Sequence, residues 1–157
     1  MRVGIGYDLH PLVSGRRLVL GGVGIPFARG LDGHSDADVL THAIIDALCG
    51  AAGMGDIGRR FGTDDPATKG IASLLLLERA WREIQTGGYR VSNVDATILA
   101  EAPRLQPYVG EMAKRLANVL GIGVHRVNIK ATTAKGQGEI GAGQAIACFA
   151  AVLLEEG

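Results

Sequence analysis

The sequence predicts an α+β fold, with a mixed β-sheet packed against helices in two layers. Three observations predict it. Segments with the two-residue alternation of strands interleave with segments whose apolar residues recur every three to four positions, as in amphipathic helices. The chain has 157 residues, a length that suits one domain of roughly 100–200 residues. Of these residues 47% are hydrophobic, enough to bury a core and too many for a disordered chain. No repeat or linker divides the chain, so residues 1–157 are expected to form a single domain.

The elements follow in order. In residues 2–8, Val3, Ile5 and Tyr7 lie on one face and Gly4, Gly6 and Asp8 on the other, the pattern of a half-buried strand. Residues 17–20 and 23–26 flank Gly21-Gly22 and read as two strands joined by a hairpin-like turn. Residues 36–52 carry Val39, Leu40, Ala43, Ile44, Ala47 and Leu48 at helical spacing, with Ser35 or Asp36 as the expected N-cap. Residues 53–70 are rich in Gly and Asp and carry no period, so they read as a loop, and long loops are often functional. A second helix is expected over 71–86, a strand over 89–99, a loop over 101–107 entering a third helix that ends near Leu120, and a strand over 124–132. In 144–156, Ile146, Cys148, Ala150, Val152 and Leu154 alternate, which favours a strand.

Composition excludes several function classes. Sixteen Lys+Arg balance sixteen Asp+Glu, so the chain is not expected to bind nucleic acid by bulk phosphate neutralisation. No apolar run reaches membrane-spanning length, and the first residues lack the apolar stretch of a secretory signal, so a cytoplasmic protein is expected. Cys49 and Cys148 sit in apolar runs and read as buried small hydrophobes rather than as a disulfide.

Four places could carry chemistry. Asp8 and His10 are two residues apart on a predicted strand, so both side chains leave the same face, and a carboxylate beside an imidazole is two-thirds of a small metal site. By itself this spacing is common, and a strand end meeting solvent is the plainer reading. His42 lies off the apolar stripe of the first helix, with Asp38 and Asp46 one turn away on either side, either of which could accept a hydrogen bond from the ring. A surface histidine on a solvated face is its plainer reading. Together Asp8, His10 and His42 would offer three ligands and leave a fourth position open, the form of a catalytic zinc site. His34-Ser35-Asp36 opens the same helix, where free amides and the positive helix end suit a phosphate, although ordinary capping also explains them. Lys130 and Thr132-Thr133 run into a Gly-rich tail that could hold phosphate, without any Walker pattern. His125 has no such company and reads as structural or exposed.

With these residues laid out, the chain resembles the 2-C-methyl-D-erythritol 2,4-cyclodiphosphate synthases over nearly its whole length. The carriers are GYDLH at 6–10, GGV-x-IP at 21–26, GHSDADV at 33–39, HA-x-x-DAL at 42–48, GDIG at 55–58, DDP at 64–66, NVDAT at 93–97, APRL at 102–105 and KATT at 130–133. The resemblance implies conversion of 4-diphosphocytidyl-2-C-methyl-D-erythritol 2-phosphate into the cyclic diphosphate with release of CMP, by attack of the 2-phosphate on the β-phosphorus. It implies one divalent metal per subunit, zinc, on Asp8, His10 and His42, with Asp8 and His10 also touching substrate. His34 and Thr133 match positions that steady the phosphates in the transition state, and Ser35 assists them. Asp56, Ile57, Gly58, Phe61, Asp64 and Asp65 match the methylerythritol-binding segment. Ala100, Pro103, Arg104, Leu105, Gln106 and Thr132 match the cytidine pocket, which faces a neighbouring subunit. The family resemblance further implies a homotrimer with its sheets facing the trimer axis and its active sites at subunit interfaces, without nucleic-acid or membrane partners.

Three positions depart from the family pattern. Lys135, counted among the substrate contacts, stands where a glutamate usually holds a second magnesium or manganese ion on the diphosphate. Ala142 stands where an arginine is usual, and Glu139 where an aromatic faces the trimer axis. These departures bear on the second ion and on any isoprenoid in the axial channel, and leave the triad untouched. Two other functions remain open from sequence: a zinc phosphohydrolase using the same triad, and a catalytically silent nucleotide or metal sensor, which the altered tail favours.

Overall fold

The computed structural model describes residues 1–61 and 66–157. The chain forms β1 (Arg2–Ser14), β2 (Leu18–Leu20), β3 (Val23–Ile25), β4 (Arg29–Leu31), α1 (Val39–Ala52), α2 (Ile57–Phe61), α3 (Ser73–Thr86), β5 (Tyr89–Leu99), α4 (Val109–Leu120), β6 (Val127–Thr132), α5 (Gly138–Gly141) and β7 (Ala145–Glu156). Five strands make one sheet in the order β4-β1-β7-β5-β6, and β2 pairs with β3 separately. All neighbours in the sheet are antiparallel except β5 and β6, so the sheet is mixed, as expected. The helices cover one face of it, and Leu40, Ile44, Leu48, Leu77, Ile98, Met112, Leu116, Ile146 and Leu154 form the buried core.

The contact between α1 and β1 sets the architecture. Gly4 and Gly6 lie against the backbone of α1: a Cβ on Gly4 would sit on the Ala47 carbonyl oxygen, and one on Gly6 on the Ala43 carbonyl oxygen. Two residues of strand advance about 6.6 Å and four of helix about 6 Å, so successive glycines meet successive helical turns. The glycine face, which carries nothing bulky in the sequence, is therefore the packed one. Val3 and Ile5 are 68% and 73% exposed on the other face, and Tyr7 and Leu9 are exposed beside them. The alternation is legible, but not which face turns inward, because a helix backbone can approach a sheet this closely only where side chains are absent.

Other boundaries differ for identifiable reasons. The N-cap of α1 is Asp38, not Ser35 or Asp36. Its buried carboxylate accepts from Thr41 N at 3.0 Å, Thr41 Oγ1 at 2.8 Å, Gly21 N at 2.9 Å and Gly22 N at 2.8 Å, tying the hairpin turn to the helix. Burial pushes the Asp38 carboxyl up. The expected loop over 53–70 contains α2 and a 3-10 turn at Pro66–Thr68. Val124–Arg126 is a 3-10 turn, so the strand expected from 124 begins at Val127. Strand β4 carries too short a pattern to be read. The Ala145–Glu156 segment is a strand, in keeping with its alternation. Cys49 and Cys148 are free and buried, and burial pushes their thiols up to about 11 and about 12. No helix among the described residues is long and apolar enough to cross a membrane.

Candidate metal centre

Beyond Gly6 the same face of β1 carries Asp8 and then His10, and His42, the residue just before Ala43 on α1, lies within reach of Asp8. Asp8 Oδ2 lies 3.0 Å from His10 Nε2 and 3.1 Å from His42 Nδ1. One donor atom from each residue lies within 4.8 Å of the others, and all three side chains are half-buried. The predicted triad is therefore assembled within one chain.

Each histidine is held from behind. A backbone hydrogen bond ties His10 to Asp32. His42 Nε2 lies 3.0 Å from Ser35 Oγ and 2.9 Å from Ser73 Oγ. Neither Asp38 nor Asp46, the carboxylates one turn away, fills this role: Asp38 is spent on the N-cap, and serines from outside the helix hold the ring. Burial alone would raise the Asp8 carboxyl, but hydrogen bonds from both histidines and their charge outweigh it and hold it at about 2. Burial would likewise lower His10, yet its bond to Asp8 and the Asp8 charge raise it above 6.5. A permanently ionised carboxylate flanked by two oriented imidazoles fits a divalent cation of intermediate softness such as zinc.

The surrounding loops close on this centre. Ser35 is buried, and its Oγ also accepts from Ala37 N at 3.3 Å. Gly70 N donates to His34 O at 2.9 Å and Asp36 N to Ile71 O at 3.3 Å, so residues 70–73 run along 34–36. Asp36 accepts from Ser73 N at 2.9 Å and from Ser73 Oγ. Arg16 Nη2 donates to Ser35 O at 2.9 Å. The expectation that His34-Ser35-Asp36 opens the helix is corrected: the helix begins at Val39, with the Asp38 carboxylate on the Thr41 amide. Sequence reasoning also misses Asp36 and Ser73 behind His42. A Ser near a helix start is the only trace of the latter, and it does not reveal a contact across 31 residues.

The remaining predicted residues fall into two groups. Asp56 precedes α2 and accepts from Arg59 N at 2.8 Å, with Ile57 and Gly58 as the first residues of that helix. Asp64, Asp65 and the Phe61 side chain lie outside the described residues. At the β6 edge of the sheet, Ala100 N donates to Thr132 O at 3.0 Å and Ala134 N to Glu101 Oε1 at 2.6 Å, which brings the 100–106 strip, Thr132, Thr133 and Lys135 together. This group includes Pro103, Arg104, Leu105 and Gln106, and Lys135 N is 3.3 Å from Thr133 Oγ1. Lys130 does not join it: its ammonium pairs with Asp95, whose carboxyl that bond holds below its usual range. His125 is exposed, as expected.

The metal triad and the second group share one end of the sheet but not one place. Register runs from Leu9 through Ala147 and Leu99 to Thr132. Three strand spacings separate β1 from β6, about 14 Å at 4.7–4.9 Å each.

Residues 1–155 match the YgbB family model. The chain belongs to that family. A curated relative, the 2-C-methyl-D-erythritol 2,4-cyclodiphosphate synthase of Moorella thermoacetica, is 55% identical over 154 residues, covering 98% of this chain and 94% of that protein. Among solved structures, the bifunctional IspDF from Campylobacter jejuni superposes with a TM-score of 0.96 at 36% identity, covering 99% of this chain and 42% of that one. A CDP-bound 2C-methyl-D-erythritol-2,4-cyclodiphosphate synthase superposes with a TM-score of 0.90 at 32% identity, covering 98% of this chain and all of that one.

Proposed function

We propose that this chain, acting as one domain over residues 1–157, converts 4-diphosphocytidyl-2-C-methyl-D-erythritol 2-phosphate into 2-C-methyl-D-erythritol 2,4-cyclodiphosphate and CMP, a step of isoprenoid precursor biosynthesis. The observation that carries this reading is the convergence of Asp8, His10 and His42 on one point in a chain of this family. The reaction is an intramolecular phosphoryl transfer and makes the chain a phosphorus–oxygen lyase. An oxygen of the 2-phosphate attacks the β-phosphorus, the bond from that phosphorus to the CMP oxygen breaks, and CMP leaves with the electron pair. No water and no protein nucleophile enters.

Such a step depends on positioning two mutually repelling phosphates and offsetting their charge. Asp8, His10 and His42 would hold a zinc ion, whose charge, when bound, neutralises phosphate oxygens and orients them. Ser35 and His34 close one side of the centre. Thr133 and the 132–135 segment supply hydroxyls and the Lys135 ammonium to the phosphates. Residues 56–58 and 61–65 receive the methylerythritol, and Ala100 through Gln106 receive the cytidine.

The family resemblance implies a homotrimer, and the spacing is compatible with it: the metal half and the cytidine half stand apart within one chain, so a rotated neighbour would bring the second half to each site. Val3, Ile5, Tyr7 and Phe149 leave an exposed apolar strip on the sheet face opposite the helices, with Tyr7 and Phe149 rings 4.8 Å apart, and this strip would face the trimer axis. Glu139 lies on α5, so the aromatic surface on this face comes from Tyr7 and Phe149. The two free thiols fit a reducing compartment such as the cytoplasm.

Phosphorus NMR of the products tests the reading. A cyclic diphosphate formed in equal amount with CMP is expected. A ring-opened monophosphate would make the chain a hydrolase, and CMP binding by calorimetry without turnover would make it a sensor.

A further inference from the structure

A buried polar relay stands behind His42 and is not explained by folding alone. Ser73 is fully buried at the first turn of α3, and its hydroxyl donates to the Asp36 carboxylate, which also accepts from Ser73 N at 2.9 Å and Asp38 N at 3.2 Å. A serine hydroxyl has one hydrogen. With that hydrogen committed to Asp36, Ser73 Oγ can only accept from His42 Nε2, 2.9 Å away. This acceptor favours a proton on Nε2; in the metal-free chain Asp8 Oδ2, 3.1 Å from Nδ1, competes for the ring proton, and with a cation between Nδ1 and Asp8 the Nδ1 lone pair is the ligand. Ser35 Oγ, 3.0 Å from the same nitrogen, does not choose between the two forms, because its hydrogen is free to point at Nε2.

We propose that the Asp36–Ser73 pair is the positioning element of the metal centre: it sets the His42 tautomer so that Nδ1 is the ligand atom, and it couples the start of α3 to metal binding. The inference rests on the metal reading of Asp8, His10 and His42. Removing such outer partners of a metal-bound histidine typically lowers metal affinity about 10- to 100-fold. Asp36→Asn is nearly isosteric and can turn an amide N–H toward Ser73, sending the serine hydrogen to Nε2 and the ring proton to Nδ1. Ser73→Ala removes the acceptor outright.

The test uses the full chain. Zinc affinity is measured by chelator competition for the wild type, Asp36→Asn, Ser73→Ala and Ser35→Ala. Ring-nitrogen resonances of His42 are recorded by ¹⁵N NMR in the metal-free proteins at a pH where the ring is neutral. The expected result is a roughly 10- to 100-fold weaker zinc affinity in Asp36→Asn and Ser73→Ala, with the protonated share of Nε2 falling in both. Wild-type affinity and unchanged nitrogen resonances in these two variants would overturn the proposal, as would a loss confined to Ser35→Ala. A wild-type chain that takes up no zinc would overturn the metal reading itself.

Discussion

Strands β1 and β6 carry the contrasting halves of the proposed site. At β1, Asp8, His10 and His42 are half-buried, each held by at least one further group, and complete within one chain. At the β6 edge, Thr132, Thr133 and Lys135 belong to a tail joined to the 100–106 strip by few bonds, with both threonines exposed. The difference teaches that the chain can preorganise charge on its own, while substrate enclosure is left to whatever covers the open edge. Cation binding and turnover should therefore separate under mutation.

The largest effect should come from the contact that builds the preformed half. Gly6→Ala drives a methyl into the Ala43 carbonyl and forces α1 off β1. Overpacking with no room to relax should cost about 3 kcal/mol or more. A lower denaturant midpoint together with lost zinc checks this, and wild-type stability would show that the glycine face is not the packed one. Next, His42→Ala should remove zinc and CMP release together while the helical circular dichroism persists, since its ring lies off the apolar stripe. Its zinc affinity should fall more than about 100-fold, beyond the range for outer partners. A purified variant with stoichiometric zinc and full rate would refute the assignment.

Breaking the other half should leave the first intact. Ile5 is exposed on the face opposite the helices, so Ile5→Asp disturbs no core contact within the chain. Sedimentation should show monomers in place of trimers, with CMP release lost and one zinc per chain retained. A smaller effect is readable in the metal-free protein. Asp8 is held at about 2 against an ordinary 3.8, and its side chain is 25% exposed. The gap between those two values corresponds to about 2 kcal/mol of stabilisation. It is present above pH 3.8 and lost as pH falls toward 2. His10, raised above 6.5, contributes stability that is full below 6.5 and fades as pH rises through its raised value. Unfolding titrations of the metal-free wild type against Asp8→Asn check both limbs.

Much of this arrangement is legible in sequence, and the reasons are local. Strand and helix periods locate β1, α1, α3, β5, α4 and β7, and residue spacing puts Asp8 and His10 on one face. The missing parts depend on distance across the chain. Nothing in the alternation of 2–8 says that Gly4 and Gly6, not Ile5, turn inward, because that depends on how close α1 lies. The N-cap goes to Asp38 over Ser35 because Gly21 and Gly22 supply donors from the hairpin. Ser73 is unreadable because its partners, Asp36 and His42, reach it only through tertiary packing. Lys130 misleads because its cross-strand neighbourhood includes Asp95, which claims its charge.

The smallest effect should separate the two halves most finely. The family resemblance sets Lys135 where a glutamate is usual, and on that reading the tail offers a cation in place of a ligand for one. Its backbone sits at φ 55, a left-handed conformation that a side chain seldom adopts, on the turn after Thr133. A flexible ammonium there acts on phosphate as a point charge and needs no added ion. Turnover measured in magnesium-free buffer with zinc retained should change by only a small factor, and Lys135→Glu should restore a strong magnesium requirement without altering zinc content. Complete loss of CMP release in the wild type, recovered by adding magnesium, would show that the open half recruits a second ion despite its lysine, and that charge in the two halves is not supplied in different ways.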